Sequence, residues 1–150
     1  MIHIPLEIIT LNEFEPTSVI FMFVMLALLL MVSAFVSGSE TAFFSLTSQQ
    51  IREMKESRSG SSETIIRLLT NSDRLLATIL IVNNLVNICI TILSARIVDK
   101  TLIFQSATWT FVFKTVCVTF LLLLFGEILP KVLANSKPMS IARFAALPIS

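Results

Sequence analysis

The chain has 150 residues, 55% of them apolar and 14% charged, with a net charge of +1 and a mean hydropathy of +0.87. That balance excludes a water-soluble domain of ordinary composition, and with no clustered basic face it leaves no electrostatic footprint for nucleic acid. One histidine, His3, and two cysteines, Cys89 and Cys117, set in different apolar blocks, exclude a Cys/His zinc cage and a disulfide framework, and both cysteines read as small apolar fillers.

In chain order, residues 1–18 form an N-terminal arm with Glu7, Glu13 and Glu15 and no Lys or Arg. The missing basic flank argues against a cleavable signal peptide, so the apolar block that follows is expected to stay as the first helix. Val19 to Val36 carries a single hydroxyl, Ser33, and predicts a first spanning helix over 19–45. About 20 apolar residues at roughly 1.5 Å each cross a bilayer core of roughly 30 Å. Two short helices are predicted next, on either side of the breaker Ser57-Arg58-Ser59-Gly60-Ser61-Ser62. Thr47 or Ser48 would cap the first, with Ile51 and Met54 as its apolar points; Ser62 would cap the second, which carries Ile65, Ile66, Leu68 and Leu69. Such mixed pieces lie along the membrane surface or pack against the ends of the spanning helices.

Leu75 to Ala95, free of charge, predicts a second span over 74–97. Trp109 to Leu129, with only Lys114 and Glu127 charged, predicts a third over 109–133. Trp109 suits an interfacial anchor, with Lys114 snorkelling outward from about a turn and a half deeper. Residues 138–150 are apolar again and read as the opening of a juxtamembrane helix in a longer parent protein. The fold class is therefore an all-α membrane protein with three transmembrane helices, its membrane domain covering residues 19–137.

Orientation follows from Lys and Arg, which resist translocation in short loops. Arg52, Lys55, Arg58, Arg67, Arg74, Lys131, Lys137 and Arg143 fall on one side, eight residues against Arg96 and Lys100 on the other. The N-terminus is expected outside the cell membrane and the long loop and C-terminus in the cytoplasm.

Polar groups inside a membrane are costly and usually face a partner, a cavity or an ion. Here they are Ser33, Ser37 and Ser39 in the first span, Asn83, Asn84 and Asn87 in the second and Glu127 in the third. By helix rise, Ser33 and Ser37 lie roughly 21 and 27 Å below the outer face and Glu127 roughly 27 Å, while Asn83 lies roughly 12 Å above the cytoplasmic start of its helix. All fall in the same half of the membrane. Ser33 and Ser37 are four apart, as are Asn83 and Asn87, so each pair shares a face, with Asn84 turned about 100° away. Pro130 lacks the N–H that would bond the carbonyl of Gly126, and a carbonyl freed at that depth needs another partner. Hydroxyls, an amide oxygen, a carbonyl and one carboxylate together make an all-oxygen site for a hard cation such as Mg2+ or Ca2+. One carboxylate leaves a divalent ion partly uncompensated, which suits release and transport better than storage.

Three ordered blocks carry a family resemblance: Ser37-Gly38-Ser39-Glu40-Thr41-Ala42, then Leu76 to Asn87, then Phe125-Gly126-Glu127-Ile128-Leu129-Pro130-Lys131. Together they resemble the membrane domain of the CorC and cyclin M magnesium transporters, often labelled hemolysin-related. The resemblance implies a homodimer of three-helix protomers with a juxtamembrane belt helix, and sodium-coupled Mg2+ export, with Na+ as coupling ion. It also implies cytoplasmic regulatory domains, a nucleotide-binding CBS pair and a small C-terminal domain, through which alone ATP would act; this stretch of sequence does not contain them. Carried over residue by residue, it places metal ligands on Ser33, Ser37, Asn83, Gly126 and Glu127, with Ser39, Asn84, Asn87 and Pro130 as neighbours of the site.

Two other classes compete. In a non-transporting membrane scaffold the serines and asparagines would only knit helices together, small polar residues being common interhelical hydrogen-bonders, and the cytoplasmic face would dock a partner complex. Glu40 reads as a solvated or interfacial carboxylate rather than a ligand. An enzyme is not expected: His3 is remote from any nucleophile, and no base other than Glu127 stands near the hydroxyls.

Overall fold

A computed structural model describes residues 15–101 and 107–149. Most of the N-terminal arm, with His3, Glu7 and Glu13, lies outside the described residues, as do residues 102–106 and Ser150. The described chain is α1 (Pro16–Phe44), α2 (Ser48–Ser57), α3 (Gly60–Thr70), α4 (Ser72–Thr101), α5 (Ala107–Leu121), a π-helical segment (Leu122–Ile128), α6 (Leu129–Ser136) and α7 (Pro138–Ile149). No strand occurs among the described residues.

Three continuous rods are long and apolar enough to cross a membrane: α1, α4 and the composite Ala107–Ser136. Pro16 opens α1 a few residues before the apolar block, at a first-turn position where its fixed φ is helical and its missing N–H costs nothing. Ile20, Phe21, Leu80, Ile81, Phe111 and Val116 all face outward. Helices this apolar on their outer faces belong in lipid rather than water, so the protein is a multi-pass membrane protein.

α1 is the central rod, packed against α4, the π segment, α6 and α7. Its contact surface is small: Ser33, Ser37, Gly38, Ser39 and Ala42 are all buried. Small residues let helix backbones come close where lipid gives no hydrophobic drive to association. A Cβ on Gly38 would sit 3.6 Å from the Pro130 carbonyl oxygen and 3.9 Å from Ala134 Cβ, so α6 crosses α1 at ordinary contact distance there.

The core gathers at the end of α1 nearest α2. Phe43, Met54, Ile65, Leu75 and Ile79 pack with Ala134, Ala142, Ala145 and Ala146. Of the two arrangements open for α2 and α3, the structure has the second: Met54 and Ile65 are buried in this cluster, and α3 packs against α7. Phe35 of α1 meets Phe144 of α7 edge to face, ring centroids 5.9 Å apart.

Thr47 caps α2 in a full capping box: its hydroxyl accepts from Gln50 N–H, and the Gln50 side chain accepts from Thr47 N–H. α2 ends on Arg58 in the left-handed region at φ 45°. The expected cap on Ser62 is corrected to Ser59, whose hydroxyl accepts from Ser62 N–H while Ser62 sits inside the first turn. Starting at Gly60 adds most of a turn, which brings Ser62 Oγ to 2.7 Å from Ser59 Oγ and 3.2 Å from Ser57 Oγ. Thr47→Ala is expected to cost about 1 kcal/mol, the usual loss on deleting an N-cap; thermal unfolding in detergent measures it, and an unchanged midpoint would show that packing of Met54 alone sets the α2 position.

Towards the other end of the bundle, Lys114 of α5 forms an ion pair with Asp99 of α4. The lysine therefore has a protein partner on the neighbouring helix rather than reaching for the interface alone. Trp109 is exposed, as an interfacial anchor requires.

Candidate functional site

The polar residues of α1 and α4 meet at Ser33, which is fully buried. Its hydroxyl donates to Asn87 Oδ1 at 3.0 Å and lies 3.5 Å from Asn83 Oδ1. Asn83 and Asn87 stand one helical turn apart on α4, so both amides reach the same point of α1. A serine hydroxyl has one proton to give. Two amide oxygens therefore converge on a single donor, and the nearer one takes it.

The third rod closes the site through Gly126. A Cβ there would fall 2.9 Å from Ser33 Oγ, so any side chain at this crossing would force the hydroxyl or the third rod to shift. Gly126 lies in the π segment, where Leu129 N–H reaches back five residues to the Leu124 carbonyl. In an α-helix that N–H would serve Phe125, and the N–H of residue 130 would serve Gly126. Leu129 is committed elsewhere and Pro130 has no N–H, so the Phe125 carbonyl loses both its four-residue and its five-residue donor, while the Gly126 carbonyl loses only the four-residue one, the widened register offering it Lys131 N–H. The sequence pointed to the Gly126 carbonyl; the Phe125 carbonyl is freed only because the helix widens. Single-turn π segments are rare and concentrate at functional sites.

Ser37, one turn along α1 from Ser33, is fully buried, and its Oγ has no hydrogen-bond partner among the described residues. A buried hydroxyl left unsatisfied is costly, of the order of 1–3 kcal/mol. Ser39 differs: its hydroxyl donates to the Phe35 carbonyl at 2.6 Å, a bond within its own helix. Glu127, beside Gly126, is half-buried and makes neither a hydrogen bond nor an ion pair among the described residues. Glu40, by contrast, has a partner: Lys131 Nζ lies 3.7 Å from its Oε2 across the α1–α6 contact, with both side chains partly exposed.

Of the residues singled out from sequence, the structure thus brings Ser33, Asn83, Asn87 and Gly126 into one cluster. Ser37 lies a turn away, Glu127 follows Gly126 in the chain, and Pro130 forms part of the helix crossing at Gly38. Asn84 does not belong: it is exposed, because it is turned about 100° from Asn83 around the helix. Asn87, expected only as a neighbour, makes the shorter contact with Ser33. The Glu40–Lys131 pair went unseen, since nothing local links residues so far apart in the chain. No three His, Cys, Asp or Glu side chains gather among the described residues, so any cation here meets mainly neutral oxygens.

Residues 23–150 match the family described as the cyclin M transmembrane N-terminal domain. Among curated proteins, the chain is 36% identical over 111 residues to the UPF0053 inner membrane protein YfjD of Escherichia coli, covering 74% of the chain and 25% of that relative. It is 33% identical over 125 residues to a UPF0053 protein of Haemophilus influenzae, 83% of the chain and 29% of the relative. A UPF0053 protein of Synechocystis is 31% identical over 122 residues, 81% of the chain and 34% of the relative. The chain therefore spans about a quarter to a third of the length of these relatives.

Proposed function

The chain belongs to the cyclin M transmembrane domain family, and from that premise we propose that it binds Mg2+ inside the membrane and exports it in exchange for Na+. The observation that carries this reading is a surplus of acceptors over protons. Two amide oxygens share one serine proton, the Phe125 carbonyl has lost its helical donors, and the Glu127 carboxylate makes no ion pair among the described residues. A cation is the partner that relieves all of them together. Mg2+ takes about six oxygens at roughly 2.1 Å and keeps several waters, so a few protein ligands suffice. Ser33, Ser37, Asn83, Gly126 and Glu127 are the proposed ligands, and the short Ser33 contact adds Asn87.

A single carboxylate leaves the bound ion with net positive charge in a low-dielectric setting, so binding is weak enough to reverse. In the same reading the working unit is a homodimer in the cell membrane, with the N-terminal end of α1 outside and α2, α3 and α7 in the cytoplasm. The CBS pair that would respond to ATP belongs to the remainder of a longer protein.

The scaffold alternative treats the polar residues as helix glue, and glue should leave no hydroxyl unsatisfied. Ser37 separates the two. Ser37→Ala is expected to leave thermal stability unchanged or raised by up to about 1 kcal/mol, because it removes an unpaired buried oxygen. Na+-driven Mg2+ flux in proteoliposomes should nevertheless fall several-fold. A destabilised variant with full flux would mark the hydroxyl as structural and remove it from the site.

A further inference from the structure

A second polar concavity lies where α3 hands over to α4, remote from the serine and asparagine cluster. Arg67, Asn71 and Arg74 line a pocket of about 240 Å³ whose apolar walls include Leu68, Leu75 and Ile149. No carboxylate lines it, and neither guanidinium has an ion-pair or hydrogen-bond partner among the described residues. Asp73 is close in sequence but is not part of the lining. Arg67 and Arg74 are both exposed, and two cations without protein counter-charges lining one small concavity make it a favourable place for an anion.

The pocket's level in the bundle says which anion. Arg74 is the last charged residue before the uncharged run Leu75 to Ala95, so it stands where the membrane-spanning part of α4 begins. The polar side therefore sits at headgroup depth, and the leucine and isoleucine walls belong to the buried cluster where α3, α4 and α7 pack. Guanidinium forks match phosphate oxygens geometrically, and basic pockets between membrane helices hold acidic lipid headgroups. We propose that Arg67 and Arg74 bind the phosphate of an anionic phospholipid in the leaflet bordering α3, with Asn71 adding an amide donor. On the positive-inside orientation this is the cytoplasmic leaflet. The bound lipid would fix the corner between α3 and α4, and with it the end of the helix that carries Asn83 and Asn87. The site is independent of any cation in the bundle.

Native mass spectrometry of the whole chain in neutral detergent, supplied with equal phosphatidylglycerol and phosphatidylcholine, tests it. Wild type should retain phosphatidylglycerol with about tenfold preference, and Arg67→Gln/Arg74→Gln should bring the preference near unity. Arg52→Gln, on α2 and outside the pocket, should keep it. Should the double variant fail to fold, each single variant is expected to lower the preference about threefold. No preference in wild type, or equal loss in Arg52→Gln, would overturn the proposal. Displacement of the lipid by millimolar inorganic phosphate would overturn it in favour of a soluble anion.

Discussion

Gly126→Ala is expected to abolish Mg2+ transport while leaving the helical fold in place. In most helices this change stabilises by roughly 0.5–1 kcal/mol, because alanine has less backbone freedom to lose. Here the added methyl would stand 2.9 Å from Ser33 Oγ. Ser33 is fully buried, so its hydroxyl can yield only by turning away from Asn87 or by pushing the third rod off α1. Either movement undoes the convergence of oxygens, and neither unwinds a helix. Circular dichroism should therefore match wild type while flux in proteoliposomes drops to background. Full flux in a folded Gly126→Ala protein would mean that the close approach of the third rod is packing only.

Glu127→Gln is the second large effect. The amide keeps the shape of the side chain and removes its charge, which is the one negative charge proposed among the ligands. Removing one partner of a desolvated charge pair costs about 3–5 kcal/mol, or roughly two to four orders of magnitude in affinity. Transport should fall to background, because the remaining oxygens are neutral dipoles that must compete with the ion's own water. The unfolding midpoint without Mg2+ should not fall, since Glu127 has no protein partner to lose among the described residues. Unchanged flux would remove the proposed ligand role, and a large loss of stability without Mg2+ would point to a structural one.

The spans were legible because apolar blocks are long and uninterrupted, and a helix is the only open-chain way to satisfy backbone groups in lipid. Helical spacing was equally informative for Ser33, Asn83 and Asn87, since residues four apart share a face whatever surrounds them. By sequence Asn84 is still a neighbour of the site despite its turn of about 100° from Asn83, and only its exposure in the packed bundle removes it. The π segment was not legible. Pro130 announces a missing N–H, but the helix can respond by leaving a carbonyl free, by kinking or by widening, and only packing against α1 at Gly38 and Ser33 selects the last. The α3 cap was misplaced for a related reason. Four serines in the stretch Ser57 to Ser62 offer equivalent hydroxyls, and the choice of Ser59 depends on where α2 ends, at the left-handed Arg58. The Glu40–Lys131 pair depends on how α6 crosses α1, which no local pattern encodes.

The central claim is that oxygens from three helices converge to hold Mg2+, and its most direct test is thermal unfolding of the purified chain during a Mg2+ titration. A ligand bound only by the folded state raises the midpoint as its concentration passes the dissociation constant. The account predicts a midpoint that climbs with Mg2+ in wild type and stays flat in Glu127→Gln at equal ionic strength. A flat response in wild type, or the same climb in both proteins, would contradict it.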